Sequence, residues 1–393
     1  MNNSQSSKHI VSLTSLRGIA ALLVMLHHYF YFLLPRIGPT LEPYTMFFFN
    51  GYLWVDFFFI LSGFVLTHAY IKTFSLKVSQ DSYRAYFISR IARIYPLHLF
   101  MLFLFFSSEL LRLVYIAYTG GEVNAAPFTG IYSLSSLIGN LWMVQALDFS
   151  SPPLFDVLTT WNQPAWSISA EWLVYLFFPF LLFDLTKCQN KTHFLIYGIA
   201  LVSLFLLIIF TYGHLNFLGL WSLVRCALEA ILGMTIYKIY QSGSYRHFFS
   251  FNSTLIISIL SIFLVMHYDW NDWFSLLPFC LLILSTSVKR GDAISNLLAW
   301  QPIIYFGEIS YSIYMTHWFV QETAKRVWKI VFDKDLGMDF NFLQTLTMLF
   351  VCVVIVIGMA SLTYKLIEMP SRYYLKNKFL TKKYIGGFIK IKN

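Results

Sequence analysis

Charged side chains are scarce in this sequence. Asp, Glu, Lys and Arg make up 12% of the chain, whereas 58% of the residues are hydrophobic and 40 of the 393 are Phe. Soluble domains carry roughly 25% charged residues, so an ordinary water-exposed globular surface is excluded. The composition predicts an all-α, polytopic integral membrane protein, because helices satisfy their own backbone hydrogen bonds inside a bilayer.

Closely spaced cysteine pairs and several catalytic motifs are also absent from the sequence. The four cysteines stand apart, without a Cys-x-x-Cys pair. This argues against a disulfide framework or a zinc site, and we expect no bound metal. The chain has no GxxxxGKS or GxxxxGKT, no HExxH and no GxSxG. Nucleotide hydrolysis, zinc proteolysis and a serine nucleophile elbow therefore have no support.

Apolar runs long enough to cross a bilayer are frequent. They lie near residues 13–34, 47–70, 92–117, 168–186, 194–211, 217–240, 253–268, 273–288, 303–323 and 343–366, which predicts about ten transmembrane helices. The apolar stretch 132–147 is predicted to be re-entrant or interfacial, inside a loop over 118–165 that is expected to form a packed outer cap. We predict a membrane domain over 1–375 and a basic cytoplasmic tail over 376–393, with no appended soluble domain.

The basic residues indicate the topology. The net charge is +9, but Lys and Arg cluster between apolar runs and at the C-terminus, so no nucleic-acid partner is expected. With the N-terminus in the cytoplasm, 21 of the 28 basic residues fall on the cytoplasmic side. This distribution predicts an even number of spans with both termini cytoplasmic.

The first apolar run contains the strongest candidate site. An α-helix rises about 1.5 Å and turns about 100° per residue. Arg17 and His28 therefore lie on one face about 16 Å apart, whereas His27 points about 80° away from Arg17. This spacing puts His28 near the bilayer midplane, where an ionisable residue is a functional candidate by default.

A carboxylate in the second apolar run is expected at a similar depth. Asp56 lies about nine residues in from the outer end of that run, so it reaches the level of His28. A carboxylate beside an imidazole fixes its tautomer and stabilises the imidazolium, as a general base requires. The alternatives are a buried structural hydrogen bond and a proton-relay site in a transporter.

Two arginines precede the third apolar run. Arg90 and Arg93 lie at positions i and i+3 of one helix face, at the same boundary as Arg17. Guanidinium groups that converge at one level suit a phosphate-rich ligand. The alternative is anchoring to lipid head groups. A further arginine, Arg225, lies four residues before Glu229, and we predict a structural ion pair there.

Polar side chains in later helices are candidates for substrate binding. Ser167 and Glu171 resemble a hydrogen-bonding site for a polyhydroxyl acceptor, although Glu171 also suits the N-terminus of a helix. Ser310, Tyr314 and His317 recur at i, i+4 and i+7, which predicts a polar stripe that lines a cavity.

In this order and at these spacings, the motifs resemble the membrane acyltransferase family often called acyltransferase-3. The resemblance rests on Leu16-Arg17-Gly18 with His28, the run 55–64, Arg90-x-x-Arg93, Trp166-Ser167 with Glu171, Ile309-Ser310-Tyr311 with His317, and Ile367-Glu368-Met369-Pro370. It extends over nearly the whole chain. It implies a multi-pass protein of the bacterial inner (cytoplasmic) membrane, an acyl-CoA donor from the cytoplasm, usually acetyl-CoA, and an acceptor hydroxyl, commonly on a cell-envelope or exported glycan.

The resemblance also implies roles for individual residues. The catalytic histidine and its partner are His28 and Asp56. The phosphates of the donor are held by arginines, namely Arg17, Arg90 and Arg93. The acceptor is bound by polar side chains of later helices, namely Ser167, Glu171, Tyr311 and His317.

Several alternatives are open at this point. His28 could deprotonate the acceptor for direct attack or accept the acyl group covalently first. Some relatives complete the transfer with a periplasmic domain; here either the membrane domain finishes the transfer or a separate periplasmic partner does. The competing function is a transporter or flippase with an intramembrane His/Asp site, which predicts pseudo-symmetric halves. A structural membrane subunit is the third alternative.

Overall fold

The computed structural model is all-helical over the residues that it describes. These are residues 10–34, 37–120, 126–147, 160–187, 198, 214–216, 219–243, 246–288 and 291–380. The helices are α1 Val11–His28, α2 Ile37–Leu41, α3 Trp54–Phe74, α4 Gln80–Thr119, α5 Leu134–Leu141, α6 Ala165–Lys187, α7 Leu220–Ser242, α8 Arg246–Ser250, α9 Asn252–His267, α10 Leu276–Ser287, α11 Ala293–Leu298, α12 Gln301–Glu308, α13 Ser310–Phe332, α14 Phe342–Thr363 and α15 Met369–Phe379. Within these ranges there is no strand, so the predicted all-α class is confirmed.

Short helical turns of other types extend or join several of these helices. A π-helical turn over Tyr29–Leu33 continues α1, and another over Tyr364–Glu368 connects α14 to α15. Turns of 3₁₀ helix over Phe49–Leu53 and Asp272–Ser275 lead into α3 and α10. The chain thus passes from α14 into α15 without a loop, which keeps the basic residues of α15 close to the helical bundle.

In the part of the chain that the structure describes, six helical segments are long and apolar enough to cross a membrane. They are Val11–Leu33, Phe49–Phe74, Gln80–Thr119, Ala165–Lys187, Leu220–Ser242 and Phe342–Phe379. Asn252–His267 and Asp272–Ser287, which correspond to the predicted runs 253–268 and 273–288, are apolar but shorter. Apart from residue 198, the predicted run 194–211 lies outside the described residues. The run 303–323 is divided at Ile309 between α12 and α13. The predicted count of about ten spans is therefore not confirmed.

The longest helix shows how local sequence fixes its ends. Ser79 precedes α4, and its hydroxyl accepts a hydrogen bond from the Ser82 N–H at 3.3 Å, as at a capped N-terminus. Gly120 follows the helix with φ of +63°, the left-handed conformation that glycine adopts most easily at a C-terminus. At 40 residues, α4 is about 60 Å long, roughly twice the thickness of a bilayer's hydrocarbon core. Its polar first turns, which carry Arg90, therefore extend beyond its apolar run.

Glycine allows two helix pairs to pack backbone to backbone. A Cβ atom at Gly63 of α3 would lie 2.0 Å from the carbonyl oxygen of Ala230 in α7. A Cβ at Gly307 of α12 would lie 2.0 Å from the carbonyl oxygen of Thr14 in α1. Small residues at helix crossings allow this close approach, which matters where lipid removes much of the hydrophobic driving force between helices. These contacts fix α7 against α3 and α12 against α1.

The segment before α6 is packed onto the helices. Trp161 is fully buried and donates from Nε1 to the Ser136 hydroxyl at 2.8 Å. Glu109 of α4, also fully buried, forms ion pairs with Arg112 at 3.1 Å and with Arg326 of α13 at 2.9 Å. The described parts of the predicted cap, 126–147 and 160–165, are thus held by buried aromatic and ionic contacts.

Candidate active site

Two histidines from α1 and α13 meet at the centre of the candidate site. His28 Nδ1 lies 2.9 Å from the Val24 carbonyl oxygen and 3.3 Å from Nε2 of His317. His317 Nδ1 in turn lies 3.2 Å from the Ile313 carbonyl oxygen. Because a carbonyl oxygen only accepts, we infer that both Nδ1 atoms carry the proton. Nε2 of His28 is then left with a free lone pair, as a general base requires.

Aromatic rings surround this imidazole. The ring of His28 packs against the edge of Trp318, with centroids 5.4 Å apart, and stacks with Phe32 at 6.0 Å. His28 is only partly buried, whereas His317 is fully buried. His27, on a different face, is bound through Nδ1 to the Phe48 carbonyl oxygen at 3.0 Å. His28 is therefore the accessible member of the group, and His317 supports it from behind.

The contact predicted between Asp56 and His28 is replaced by another one. Asp56 is fully buried and binds Arg225 through both oxygens, at 2.6 Å from Nε to Oδ1 and at 2.5 Å from Nη2 to Oδ2. Asp56 faces α7 because α3 and α7 pack through their glycines, and no hydrogen bond joins Asp56 to His28 in the described part of the chain. The predicted ion pair of Arg225 with Glu229 is also present, with Nε and Oε1 3.6 Å apart. Because this distance is longer, Glu229 is the weaker of the two partners of Arg225.

Arg17 occupies the other end of the same face of α1. It donates from Nη2 to the Ser310 hydroxyl at 3.3 Å. Since Arg17 pairs with Ser310 and His28 pairs with His317, α1 and α13 run parallel along this face. The polar stripe predicted on α13 is thus brought together with the face of α1 that carries Arg17 and His28.

Arg90 lies among three tyrosine rings. Its guanidinium carbon is 5.6 Å from the ring centroid of Tyr70 and 5.9 Å from those of Tyr86 and Tyr175. It donates from Nη2 to the Tyr70 hydroxyl at 3.3 Å, whereas its buried Nε has no hydrogen-bond partner among the described residues. Within that part of the chain the cation is held by aromatic faces.

Three consecutive residues at the start of α13 connect the arginine-bearing helices. Ser310 accepts from Arg17 of α1. Tyr311 donates to the Ile94 carbonyl oxygen of α4 at 2.7 Å, one residue beyond Arg93. Ser312 donates to Glu368 at 2.7 Å, and Glu368 also forms an ion pair with Arg372 of α15. The triplet 310–312 therefore fixes the relative positions of Arg17, Arg93 and Arg372.

Five basic side chains gather around this triplet, and we call them the basic cluster. Its members are Arg17, Arg90, Arg93, Arg372 and Lys376. Arg93 and Arg372 lie close enough to Arg17 to interact with it electrostatically, and Arg90, Arg93 and Arg372 lie close enough to Lys376 to do the same. The sequence analysis missed Arg372 and Lys376 because they follow the last apolar run and were assigned to the end of the membrane domain and to the tail. The i, i+4 spacing of Glu368 and Arg372 was the sequence signal that could have identified Arg372.

Ser167 and Glu171 lie in different surroundings. Ser167 is buried and its hydroxyl lies 2.6 Å from that of Tyr314. Glu171 accepts from the Tyr175 hydroxyl at 2.5 Å and interacts electrostatically with Arg17. The suggestion that Glu171 stands at a helix N-terminus is wrong, because α6 begins at Ala165 and its first turn carries no acidic residue.

Comparison with known proteins identifies the class to which this arrangement belongs. The family described as "Acyltransferase domain" matches residues 10–364. The chain belongs to this acyltransferase family, and its apolar helices agree with a multi-pass membrane protein. Every residue of the candidate site except Glu368, Arg372 and Lys376 falls inside the matched region.

Individual relatives carry related names. The "Putative O-acetyltransferase SACOL0978" of Staphylococcus aureus (strain COL) is 22% identical over 386 residues, which cover 93% of this chain and 58% of that protein. "Acyltransferase MdmB" of Streptomyces mycarofaciens is 33% identical over 171 residues, 43% of this chain and 38% of that protein. The "Putative peptidoglycan O-acetyltransferase YrhL" of Bacillus subtilis (strain 168) is 22% identical over 353 residues, 82% of this chain and 51% of that protein.

Two further results delimit the comparison. The chain spans a little over half of the length of the Staphylococcus relative that it matches. A search of the solved structures found no match.

Proposed function

We propose that the protein is an O-acyltransferase that moves an acyl group, acetyl in the first instance, from acyl-CoA to a hydroxyl group. One observation carries this proposal: a partly accessible histidine and a basic cluster lie at opposite ends of one face of α1, about 16 Å apart. A donor that is anionic at one end and reactive at the other suits this separation. Membership of an acyltransferase family supports the same reaction class.

Direct transfer is the chemistry that we propose at His28. Nε2 of His28 takes the proton of the acceptor hydroxyl while that oxygen forms a bond with the thioester carbonyl carbon. The carbon–sulfur bond then breaks, and CoA leaves as a thiolate that receives the proton from the imidazolium. His317 accepts from His28 Nδ1 and so holds the ring in the required tautomer. In this role His317 takes the place that the sequence analysis gave to Asp56.

The donor is proposed to bind from the cytoplasmic side. Arg17, Arg90 and Arg93 would contact its phosphates, since guanidinium groups bind phosphate through paired, permanently charged hydrogen bonds. With this orientation we propose that both termini are cytoplasmic and that the protein lies in the inner membrane, and the distribution of basic residues supports the cytoplasmic termini.

The acceptor is proposed to be a hydroxyl-bearing glycan of the cell envelope. The name of the Bacillus subtilis relative, which refers to peptidoglycan O-acetylation, supports this class of acceptor. Ser167, Glu171 and Tyr311 remain the proposed acceptor contacts, whereas His317 is now proposed to orient His28. Of these, Glu171 accepts a hydrogen bond from Tyr175 through Oε1, and within the described residues its second oxygen has no hydrogen-bond partner, so we propose that this oxygen binds a ligand hydroxyl. A separate periplasmic partner that completes the transfer is the alternative to direct transfer by the membrane domain.

Transfer of labelled acetyl groups tests the proposed function. Membranes that contain the chain are incubated with [¹⁴C]acetyl-CoA, and the envelope glycan fraction is isolated and treated with mild base. We expect base-labile label that requires the chain, because an O-acetyl ester is hydrolysed under these conditions. Absence of chain-dependent label from the glycan, lipid and protein fractions would contradict the acyltransferase assignment and favour transport.

A further inference from the structure

Gln321 of α13 is a buried amide whose hydrogen-bonding capacity is unused. Its side chain is fully buried, and neither Oε1 nor Nε2 has a hydrogen-bond partner among the described residues. Burying an amide without a hydrogen bond is unfavourable, and most buried polar groups in proteins are paired. An exception of this kind calls for an explanation, and a ligand that supplies the missing partner is one.

The amide continues the polar stripe of α13 beyond His317. At 100° per residue, Gln321 lies about 20° from Tyr314 and about 40° from His317 around the helix axis. It follows His317 by about 6 Å along that axis. Long side chains of a helix lean toward its N-terminus, so from this position an amide covers the turn that carries His317.

The order of residues along α1 and α13 assigns this position to the acceptor. Arg17 meets Ser310 at one end of the shared face, and His28 meets His317 about two turns further along α13. In the proposed function the donor enters at the Arg17 end, and its thioester reaches His28. The donor therefore occupies this face up to His317, whereas Gln321 lies beyond it.

A second buried amide contacts the same part of α13. Asn162 is 4% exposed and donates from Nδ2 to the Met315 carbonyl oxygen at 2.9 Å, while its Oδ1 has no hydrogen-bond partner among the described residues. The nearby Pro164 carbonyl oxygen accepts from the Tyr314 hydroxyl at 3.0 Å. This contact holds the segment against the face of α13 that Tyr314 shares with Gln321. Two segments of the chain thus each bring an unpaired amide oxygen to this part of α13.

The charged side chains next to Gln321 are paired with one another. Glu322 forms an ion pair with Lys325 at 3.3 Å. Arg326 forms an ion pair with the buried Glu109 at 2.9 Å. An amide itself carries an acceptor oxygen and N–H donors but no charge. This combination suits a neutral ligand with several hydroxyl groups, because each hydroxyl can both donate and accept.

We propose that Gln321 binds a second hydroxyl of the acceptor, beside the one that is acylated, and so determines specificity for a neutral polyhydroxyl acceptor. This inference rests on the proposed function for the reaction. The acceptor enters beside His28, the partly exposed residue of the group, and Oδ1 of Asn162 provides a further hydrogen-bond acceptor. Binding at Gln321 breaks no hydrogen bond within the described part of the chain. A site that hydrogen-bonds a substrate hydroxyl strongly rejects analogues that lack it.

Steady-state kinetics with the purified full-length protein in detergent tests this inference. The donor is [¹⁴C]acetyl-CoA and the acceptor probe is the isolated envelope glycan fraction, and each is varied in turn. Gln321→Met keeps the approximate size of the side chain and removes both polar atoms. Gln321→Asn keeps the amide on a shorter stem and provides a second reading if Gln321→Met is unstable.

Ser285→Ala is the matched control. Ser285 of α10 is fully buried, and its hydroxyl also has no hydrogen-bond partner among the described residues. The adjacent Thr286 carbonyl oxygen accepts from the Ser12 hydroxyl at 2.6 Å, so Ser285 lies toward the opposite end of α1 from His28. This variant therefore removes an unpaired buried polar atom away from the proposed acceptor contacts.

We expect Gln321→Met to raise the half-saturating concentration of the glycan about tenfold or more, with KM for acetyl-CoA unchanged and with Ser285→Ala equal to the wild type. The midpoint of thermal unfolding should not fall, because an apolar group of similar size replaces an unpaired amide. Wild-type half-saturation by the glycan in both Gln321 variants, or equal losses for glycan and donor with a lower midpoint, would overturn the role of Gln321 and leave the proposed function intact. No transfer of label by the wild type would overturn both.

Discussion

Nε2 of His317 lies 3.3 Å from Nδ1 of His28, and each Nδ1 also faces the carbonyl oxygen four residues earlier in its own helix. Two helices that are far apart in sequence thus fix one tautomer of a single, partly accessible imidazole. The arrangement needs no carboxylate, because backbone carbonyls and a neutral imidazole supply the orientation.

His317→Ala is expected to lower kcat by about tenfold to a hundredfold while KM for acyl-CoA changes little, because groups that orient a reactive imidazole contribute roughly this much. His317→Gln should recover part of the loss, since its amide oxygen can accept from His28 Nδ1. Steady-state kinetics on the two variants provides the test. A rise in KM alone, with kcat unchanged, would assign His317 to substrate binding instead.

Asp56→Ala is expected to lower the free energy of unfolding by about 3–5 kcal/mol, because it leaves Arg225 buried without its bidentate partner. Glu229→Gln should cost much less, since neither Glu229 oxygen has a hydrogen-bond partner in the described part of the chain. Thermal unfolding in detergent compares the two. A stable Asp56→Ala protein that has lost turnover would restore the catalytic role suggested by the sequence.

Gly63→Ala is expected to separate α3 from α7 and to destabilise the protein by about 1–3 kcal/mol or more, because the added Cβ would meet the Ala230 carbonyl oxygen. Gly358→Ala in α14 is the matched control, as no atom of another described segment lies within 4 Å of the Cβ it would add. The midpoint of thermal unfolding should fall in the first variant and not in the second. Equal midpoints would show that the glycine contact between α3 and α7 is not required.

Glu109→Ala is expected to loosen the segment 126–147, because it removes the carboxylate that holds Arg326 and Arg112 and that also accepts from the Phe128 N–H. Faster amide hydrogen exchange over 126–147 is the predicted result. The exposed pair of Lys334 with Asp339 gives the control, since breaking a surface ion pair costs only about 0–1 kcal/mol. Unchanged exchange in Glu109→Ala would exclude this carboxylate as the anchor.

The sequence predicted the features that follow from helical periodicity. Arg17 and His28 share a face of α1 because their spacing is close to three turns, and the stripe on α13 follows from the same rule. The partner of Asp56 could not be predicted in this way. Arg225 lies 169 residues away, and only the glycine-mediated packing of α3 on α7 brings the two together.

Two other differences have local causes. Glu171 is predicted at a helix start because it begins an otherwise charge-free apolar run, but α6 begins at Ala165, so Glu171 lies more than one turn inside. Arg372 and Lys376 resembled part of a solvated C-terminal region because charge is dense there. The π-helical turn over Tyr364–Glu368 instead continues the helix into α15, which packs against α4, a contact with no clear signal in the sequence.

The central claim is that His28 performs the acyl transfer, and the most direct measurement compares label transfer from [¹⁴C]acetyl-CoA by wild type, His28→Ala and His267→Ala at matched expression. His267 contacts Thr45 outside the candidate site and controls for the loss of a histidine. We predict that His28→Ala loses at least about a hundredfold in rate, as expected for removal of a general base, and that His267→Ala equals the wild type. Persistent transfer by His28→Ala would contradict the account and remove His28 from the chemistry.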